Sequence, residues 1–251
     1  MDISVVIHTL NSEGVIRQCL ESVKGFDEII LCDMYSSDNT LSIAREYGAT
    51  IVLHEPCGGI PEPARTFAIR QATKEWVFVV DSDEIVPSAL KDYLYRSVSQ
   101  SNPVDALFVP RRNFFMNKYM RSSFPDYQLR FFRKDKFVTW PPTVHARPQI
   151  NGRIRKLPAR KELAFIHLDT NRINAMIAKM NKYTNREMER SKNRNVGLGR
   201  LIFKPAYRFI HSYFFKGGFW DGKAGFIYAV LNMYYKFVAI SKCIEKREIK
   251  G

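Results

Sequence analysis

The chain has 251 residues, of which 45% are hydrophobic, and a net charge of +14. This length accommodates one sizeable domain, or one domain with an appendage, and the hydrophobic content argues against wholesale disorder. The four cysteines have neither CxxC pairing nor zinc spacing, which suits a reducing compartment, with Cys19 and Cys32 expected in the core. No basic segment precedes the first apolar stretch, so we expect a strand there, not a signal peptide, and a cytoplasmic protein.

Charge is distributed unevenly along the chain. Residues 1–108 contain 8 Lys and Arg against 16 Asp and Glu, a net charge of −8, whereas residues 109–251 contain 31 against 9, a net charge of +22. A basic half joined to an acidic half indicates two tasks. The basic half is expected to meet an anionic partner such as phosphates, nucleic acid or a lipid surface.

Strand patterns recur through the first third of the chain. Short apolar runs rich in β-branched residues predict four strands, at residues 3–8, 27–33, 49–54 and 76–80. The segments between them have helical patterns. Ser12 is a candidate N-cap for the first helix, Ser37 or Asp38 for the second, which is expected to stop at Gly48, and residues 63–73 form the third.

Apolar strands that alternate with helices are typical of a parallel sheet covered on both faces. In such sheets, ligands bind outside the carboxyl ends of the strands. Polar residues terminate the predicted strands, and we expect them to gather on one edge of the sheet: His8–Asn11, Asp33 and Asp81–Glu84.

The stretch "VVDSDEIVP" places Asp81, Asp83 and Glu84 directly after the fourth strand. Adjacent carboxylates at a strand end suit a hard divalent cation, Mg²⁺ or Mn²⁺, which often shares its ligands with a diphosphate. A role in capping the next helix is the alternative for this motif taken alone. The chain contains no Walker lysine motif and no GxGxxG, which disfavours a kinase, a P-loop ATPase and a dinucleotide dehydrogenase.

Seven stretches together resemble one known family. In chain order they are "ISVVIHTLNSE", "DEIILCDMYSSDNT", "IAREYGATIV", "EWVFVVDSDEIVP", "PDYQLRFFRKD", "VHA" and "RFIHSYFFKGGFWDGKAGFIYAVL". Their order and spacing resemble the family-2 inverting glycosyltransferases, specifically the branch of lipopolysaccharide core glucosyltransferases. The resemblance implies a GT-A fold, which is a Rossmann-like, mostly parallel α/β sheet flanked by helices.

The same resemblance implies an activity. A sugar would move from a nucleotide-diphosphate donor, with UDP expected, to a hydroxyl of a lipid-linked glycan in lipopolysaccharide or cell-surface polysaccharide synthesis. The loop after the first strand would line the base and ribose through His8, Thr9, Asn11 and Glu13. Asp33 would accept a hydrogen bond from the base.

The resemblance also assigns residues around the diphosphate. Arg65 stands where relatives have a basic residue that faces the nucleotide. In the DxD element, Asp81 would lie toward the ribose, and Asp83 would bind the Mg²⁺ or Mn²⁺ held by the diphosphate.

Inverting transfer requires a carboxylate that takes the proton of the attacking hydroxyl. Asp126, in "FPDYQLRFF", is the only acid between Asp105 and Asp135, and it matches the acid of the family's D-x-x-L-R-x-F element. It is the expected base, and Arg130 would meet the diphosphate or hold Asp126 in place. An ordinary surface pair of Asp126 with Arg130, worth under about 1 kcal/mol, is the alternative.

Two histidines are candidates for binding metal or phosphate. His145, in "TVHAR", matches the His of the family's Val-His-Glu, although Ala146 replaces the Glu. His167, in "FIHLD", is a second candidate of the same kind. A structural role is the alternative for both. Departures at Leu10, Thr66 and "DMYSSDNT" bear on the identity of the base and sugar more than on the reaction.

From about Asn171 the chain has helical patterns rich in aromatic and basic residues. Its longest mostly apolar run, about Ala224–Ser241, is interrupted by Asn232 and Lys236, and a transmembrane helix needs about 20 predominantly apolar residues. We therefore expect amphipathic helices at a membrane interface, with Lys and Arg toward anionic lipid. Packing of these aromatics into a domain core is the alternative.

The expected organisation is a GT-A catalytic domain at 1–168 and a helical membrane-associating region at 169–251. Within the first, residues 1–108 would bind the nucleotide sugar and residues 109–168 the acceptor. The protein would attach peripherally to the inner face of the cytoplasmic membrane.

Three other functions are compatible with parts of the sequence. Interleaved basic and aromatic residues suit nucleic-acid binding, but this leaves the acidic strand ends unexplained. A nucleotidyltransferase usually has a Gly-rich loop with a basic residue after its first strand, where this chain has "HTLNSEG". A catalytically inactive scaffold of the same family is the third, and the presence of Asp81, Asp83 and Asp126 argues against it.

Overall fold

A computed structural model describes residues 2–56, 62–100, 104–143, 146–168, 173–190 and 197–249. Cys57 and His145 lie outside these ranges. The chain divides into two compact units. The first unit contains residues 1–112 and 125–168, and the second contains residues 113–124 and 169–251.

Strands dominate the first unit. The strands of the described chain are β1 (Ile3–Thr9), β2 (Glu28–Asp33), β3 (Thr50–Leu53), β4 (Trp76–Asp81), β5 (Glu84–Ile85), β6 (Ala106–Val109), β7 (Arg111–Phe115), β8 (Lys118–Tyr119), β9 (Gln128–Arg133), β10 (Phe137–Thr139), β11 (Gln149–Ile150), β12 (Ile154–Lys156) and β13 (Phe165–His167). Seven of them form one sheet in the order β12-β6-β9-β4-β1-β2-β3. The strands β1 to β4 are parallel, as the sequence predicted, and β9 runs antiparallel to β4 and β6.

Helices cover both faces of this sheet. They are α1 (Ile16–Val23), α2 (Thr40–Glu46), α3 (Glu62–Gln71) and α4 (Ser88–Val98). Strand β4 shows why two layers form: Phe78 and Val80 pack into the core that contains α1 and α4, whereas Val77 and Val79 pack into the core that contains α3. Because side chains alternate across a strand, an apolar run of this kind buries both faces.

The predicted helix starts need correction. The Ser12 hydroxyl does not cap α1, which begins only at Ile16, and this hydroxyl lies 3.0 Å from that of Ser82. The residue that flanks α2 is Asn39, although the Asp38 carboxylate accepts a hydrogen bond from the Thr40 N–H. The predicted stop at Gly48 is confirmed by its φ of +67°, which suits glycine.

The second unit is mainly helical. It contains α5 (Ile173–Arg190), α6 (Leu198–Ile210), a π turn at His211–Phe215, a 3₁₀ turn at Gly218–Asp221 and α7 (Gly222–Glu248). Helix α7 packs on both α5 and α6. Helices from about Asn171 onward were predicted, and the described residues confirm them.

The segment 113–124 groups with these helices, although it was predicted to belong to the domain at 1–168. The reason is a buried carboxylate: Asp221 accepts hydrogen bonds from the N–H groups of Arg121 and Ser122 and from the Ser122 hydroxyl. Phe115 packs its ring against Tyr228 of α7, at 5.7 Å between centroids.

By length and composition alone, Gly218–Glu248 could cross a membrane. This segment nevertheless buries small and apolar residues inside the second unit, Ala229, Ala239 and Ile240 among them. Lys236 also forms an ion pair with Glu187 of α5, at 2.8 Å. Helix α7 is therefore the centre of a helical layer within this unit.

Candidate active site

The polar strand ends meet at one edge of the large sheet, as the sequence predicted. Thr9 at the end of β1 is in register with Asp33 at the end of β2, and His8 is in register with Asp81 at the end of β4. Strand β9 runs the opposite way and pairs its first residue with the last residue of β6. Asp126, two residues before β9, therefore lies at the same edge.

Two arginines converge on Asp81. An Asp81 carboxylate oxygen lies 2.7 Å from Arg65 Nη2, and the other lies 2.5 Å from Arg130 Nη2. The Trp140 ring lies 4.6 Å from the Arg65 guanidinium and 5.6 Å from that of Arg130, which is within cation–π range. Of the two roles expected for Arg130, contact with the diphosphate or with Asp126, the second is wrong, because its carboxylate partner is Asp81.

The Arg65–Asp81–Arg130 group carries a surplus of positive charge. Burial acts against ionisation of Asp81, but Arg130 and then Arg65 outweigh it and hold the pKa of Asp81 well below its usual range. One carboxylate neutralises only one of two guanidinium groups. Arg65 is only 4% exposed, and its Nε and Nη1 have no hydrogen-bond partner among the described residues. Such a cluster is suited to a second anion.

Asp126 is held by a different arginine. Arg111 donates from Nη2 and Nε to one Asp126 oxygen, at 2.7 and 3.0 Å, and Gln128 donates to the other oxygen at 2.9 Å. The Asp126 side chain is 32% exposed, so a substrate can reach it. The carboxylate is thus fixed in orientation and open to one side.

Glu84 links the Arg111–Asp126 pair to the DxD element. Its carboxylate is fully buried, accepts from Arg111 Nη1 at 3.2 Å and accepts from the Asp81 N–H at 3.0 Å. Burial lowers the pKa of Arg111, but Glu84 and Asp126 outweigh this effect and raise it, so the guanidinium stays charged. Glu84 and Arg111 therefore couple the position of Asp126 to the end of β4.

Asp83 lies beside His167. The His167 Nε2 is 3.4 Å from an Asp83 carboxylate oxygen, and β13 pairs with β5 so that His167 is opposite Glu84. Burial acts against protonation of His167, but the hydrogen bond to Asp83 outweighs it, and the pKa of His167 is raised. Within the described ranges, no three His, Cys, Asp or Glu residues cluster to hold a metal ion.

The loops after β1 and β2 bind each other. Asn11 Oδ1 accepts from the Ser37 N–H at 2.8 Å, and Glu13 accepts from the Asn39 N–H at 3.0 Å. Asp33 is buried, and its carboxylate accepts from the N–H and hydroxyl of Ser36. Asn11, Glu13 and Asp33, three of the five residues predicted to line the base and ribose, therefore belong to one hydrogen-bonded rim.

His8 and Thr9 lie beneath that rim. Both are buried, and neither the two ring nitrogens of His8 nor the Thr9 hydroxyl has a hydrogen-bond partner in the part of the chain that the structure describes. Burial, followed by Arg65, lowers the pKa of His8 well below its usual range. The imidazole is therefore neutral at physiological pH.

Two residues of this site, Arg111 and Trp140, were not predicted from the sequence, and Glu84 was predicted only as one of the adjacent carboxylates suited to a divalent cation. A signal existed for Arg111, because it follows the apolar run "ALFVP" just as Asp81 follows "WVFVV". Trp140 carried no such signal, since a single aromatic residue in a loop is compatible with many environments.

Comparison with known proteins gives one family and several relatives. Residues 4–161 match the model of the family described as Glycosyl transferase family 2. Lipopolysaccharide core biosynthesis glycosyltransferase LpsC of Rhizobium meliloti (strain 1021) is 26% identical over 100% of this chain and 95% of its own length. An uncharacterized glycosyltransferase of Rickettsia conorii is 24% identical over 97% of this chain and 90% of its own length.

Two solved structures are similar over nearly the whole chain. Mannosyltransferase PcManGT from Pyrobaculum calidifontis has a TM-score of 0.58 at 14% identity and covers 96% of this chain and 86% of its own. Residues 1–349 of TarS from S. aureus have a TM-score of 0.51 at 19% identity and cover 97% of this chain and 89% of their own. Together with the sheet order, these likenesses establish the GT-A-like α/β fold that the resemblance implied.

Proposed function

Because the chain belongs to glycosyltransferase family 2, we propose that it moves a sugar, with inversion, from a nucleotide-diphosphate donor to a hydroxyl of a lipid-linked glycan. We place this step in the synthesis of lipopolysaccharide or another bacterial cell-surface polysaccharide, in agreement with the name of the Rhizobium meliloti relative. UDP is the nucleotide we expect. The TarS structure contains UDP, and the Pyrobaculum calidifontis structure contains GDP-mannose and Mn²⁺.

The observation that carries this proposal is the convergence of Arg65 and Arg130 on Asp81. Their surplus positive charge and the unpartnered Nε and Nη1 of Arg65 suit the diphosphate of a nucleotide sugar. A leaving diphosphate gains negative charge as its bond to the sugar breaks. Preformed cations at that position stabilise the transition state more than the ground state.

Asp126 is the general base in this proposal. The acceptor hydroxyl oxygen forms a bond to the anomeric carbon, its proton passes to Asp126, and the bond from the anomeric carbon to the diphosphate oxygen breaks with its electron pair. Arg111 fixes the carboxylate through two N–H groups on one oxygen. Restricting the carboxylate to one orientation keeps it within reach of the hydroxyl proton.

Asp83 is the proposed metal ligand. Its carboxylate is 28% exposed at the strand edge, which fits Mg²⁺ or Mn²⁺ because these ions commonly bind one or two carboxylates together with substrate phosphates. His145 is the second proposed ligand and lies outside the described residues. When bound, the ion would neutralise charge on the leaving diphosphate.

The rim of the two loops is the proposed base and ribose site. His8, Thr9, Asn11, Glu13 and Asp33 retain the roles given above, with Asp81 toward the ribose. The buried, neutral imidazole of His8 and the Thr9 hydroxyl offer unpartnered polar atoms beneath this rim.

The acceptor and the membrane complete the proposal. Residues 109–168 would bind the acceptor, and residues 169–251 would attach the protein peripherally to the inner face of the cytoplasmic membrane. Such an arrangement would keep the protein close to a lipid-linked acceptor, whose reacting hydroxyl lies near the lipid surface.

Calorimetric titration with UDP and GDP, each with and without Mn²⁺, tests the donor site. We expect Mn²⁺-dependent binding of one nucleotide by the wild type and its loss in Asp83→Ala. Asp135→Ala, which removes an exposed carboxylate from the 3₁₀ turn after β9, is the matched control and should bind like the wild type.

The same titration distinguishes the proposed transferase from the main alternative, an inactive scaffold. Absence of binding of either nucleotide by folded wild-type protein would contradict the proposal and favour an inactive scaffold. Metal-dependent binding that survives in Asp83→Ala would leave the donor site in place and refute Asp83 as the ligand.

A further inference from the structure

An exposed aromatic surface extends over α6 and the turns that follow it. We define the aromatic patch as Phe203, Tyr207, Phe214, Phe215, Phe219 and Trp220, all of which are at least 42% exposed, with Phe215 at 77%. So many large exposed apolar side chains within 18 residues of one another in the chain are uncommon on soluble surfaces and mark sites of interaction.

Five of the six members of the aromatic patch, all except Phe203, contact a neighbouring ring. His211 lies between Tyr207 and Phe215, with centroids 5.6 and 6.4 Å away. Tyr213, one row further in, contacts Phe214 at 5.1 Å and Phe219 at 6.4 Å. Phe219 in turn contacts Trp220 at 4.8 Å. These five side chains are therefore supported by neighbouring rings, and Phe203 extends the exposed stripe along α6.

Helix α6 presents this surface on the side away from its own packing face. Phe203, Tyr207 and Ile210 recur at spacings of four and three residues and are exposed, whereas Pro205 on the opposite side is buried. Beside the exposed stripe runs a row of cations at a spacing of four, Arg200, Lys204 and Arg208.

In the described residues these cations form no close ion pair, and the nearest acidic influence on them is that between Lys204 and Glu187 of α5. Residues 197–220 include four basic residues and no acidic one. Among the described residues, no ion pair involves Arg200, Lys204, Arg208 or Lys216. A second copy of the chain placed on the patch would bring like charges together. An anionic lipid surface accepts both the aromatic rings and cations that form no close ion pair in the described structure.

We propose that the aromatic patch inserts into the headgroup layer of an anionic bilayer, with α6 parallel to the membrane plane. This inference rests on the proposed function, because it names the surface that would reach a lipid-linked acceptor. The rings enter the boundary between headgroups and acyl chains, and Arg200, Lys204 and Arg208 contact lipid phosphates. Helix α7 stays packed within its unit and does not cross the bilayer.

Trp220 provides a direct probe of this geometry. The other two tryptophans, Trp76 and Trp140, are 1% and 5% exposed, whereas Trp220 is 67% exposed. We expect phosphatidylglycerol vesicles to shift the emission of the full chain to shorter wavelength, and lipids brominated near the headgroup end of the acyl chain to quench it. Trp220→Phe should still sediment with vesicles but lose the shift.

Matched variants test the aromatic and the electrostatic components of vesicle binding separately. Phe203→Ser with Phe215→Ser should weaken vesicle partitioning about 100-fold, because each removes a ring that enters the lipid. Val138→Ser with Leu53→Ser removes exposed apolar residues of the first unit and should have little effect. Replacing Arg200, Lys204 and Arg208 by Gln should also reduce binding about 100-fold, and the same change at Arg155, Arg160 and Lys161 should reduce it much less.

Several outcomes would overturn the inference. An unshifted Trp220 emission in protein that sediments with vesicles would place the lipid contact on another surface. Equal losses in both charge variants would indicate a non-specific effect of net charge. Sedimentation of the wild type as a dimer, with Phe203→Ser and Phe215→Ser monomeric, would make the patch a self-association surface. Nucleotide titration of the patch variants reports on the donor site and not on the lipid contact. The patch variants should bind nucleotide like the wild type, so a lost lipid contact can be distinguished from a failed donor site.

Discussion

Arg65 contacts Asp81 at 2.7 Å from inside the protein, with two of its guanidinium nitrogens left unpartnered in the described structure. A residue that served only to neutralise Asp81 would not need those buried donors, because an unpaired buried donor is unfavourable. The pair is better explained as a preformed cradle in which the carboxylate orients the guanidinium toward a second anion.

Replacing Arg65 by Lys tests this cradle. The lysine keeps the charge but loses the fork of donors, so UDP affinity should fall about 10–100-fold, whereas uridine affinity should change little. Calorimetry with both ligands measures the difference. Arg70→Lys, on the exposed side of the same helix, should bind both ligands like the wild type. Equal losses for UDP and uridine would show that Arg65 shapes the site in general and does not contact phosphate.

Asp126→Asn should lower sugar transfer by about 10²–10⁴-fold, because the amide cannot take the proton of the acceptor hydroxyl. Transfer is measured as radiolabelled sugar that moves from the nucleotide donor into a bacterial lipid extract. Metal-dependent nucleotide binding should remain, since Arg111 and Gln128 hold the Asp126 carboxylate, whereas Arg65 and Arg130 hold Asp81. Near-normal transfer by the variant would refute Asp126 as the base.

Arg111→Gln should destabilise the protein and also lower its kcat. Glu84 is fully buried and would lose its only ion-pair partner among the described residues, which should reduce the free energy of unfolding by about 3–5 kcal/mol. Chemical denaturation measures this loss, and Arg112→Gln, at a position with no ion pair in the described structure, is the control. The double variant Glu84→Gln, Arg111→Gln should recover most of the stability.

The double variant also distinguishes the role of Arg111 in orienting Asp126 from its role in stabilising the fold. Its kcat should stay low while its KM for the donor stays near the wild-type value, because Asp126 has lost the guanidinium that orients it. Recovery of stability together with full kcat would show that Arg111 has only a structural role.

His8 should make stability depend on pH. Its folded-state pKa lies well below the ordinary 6.5, so below about pH 6.5 the unfolded chain takes up a proton that the folded protein does not. The free energy of unfolding should therefore fall as the pH drops below 6.5, by up to about 1.4 kcal/mol per pH unit. In His8→Phe this contribution is removed. Denaturation midpoints at pH 7.5 and pH 5.0 give the comparison, and identical differences for the two proteins would contradict it.

The strands and helices of the first unit were largely readable from the sequence. Apolar runs such as "WVFVV" have to be buried on both faces, and this requirement fixes a parallel sheet with helices on both sides. Helix starts were less predictable. The Ser12 hydroxyl does not cap α1 because it contacts the hydroxyl of Ser82, which is 70 residues away in the chain. Local capping preferences do not include such distant partners.

The sequence by itself determined that Asp33, Asp81 and Asp83 would reach one edge of the sheet, because parallel strands have a common direction and their ends share one side. Only the tertiary structure decided which cations meet which carboxylates. Arg130 is four residues from Asp126 in the chain, yet it pairs with Asp81, and Arg111 takes Asp126. These pairs form because β9 runs antiparallel between β4 and β6. The pairing of β9 and the binding of segment 113–124 by Asp221 both depend on long-range packing, which local sequence patterns do not reveal.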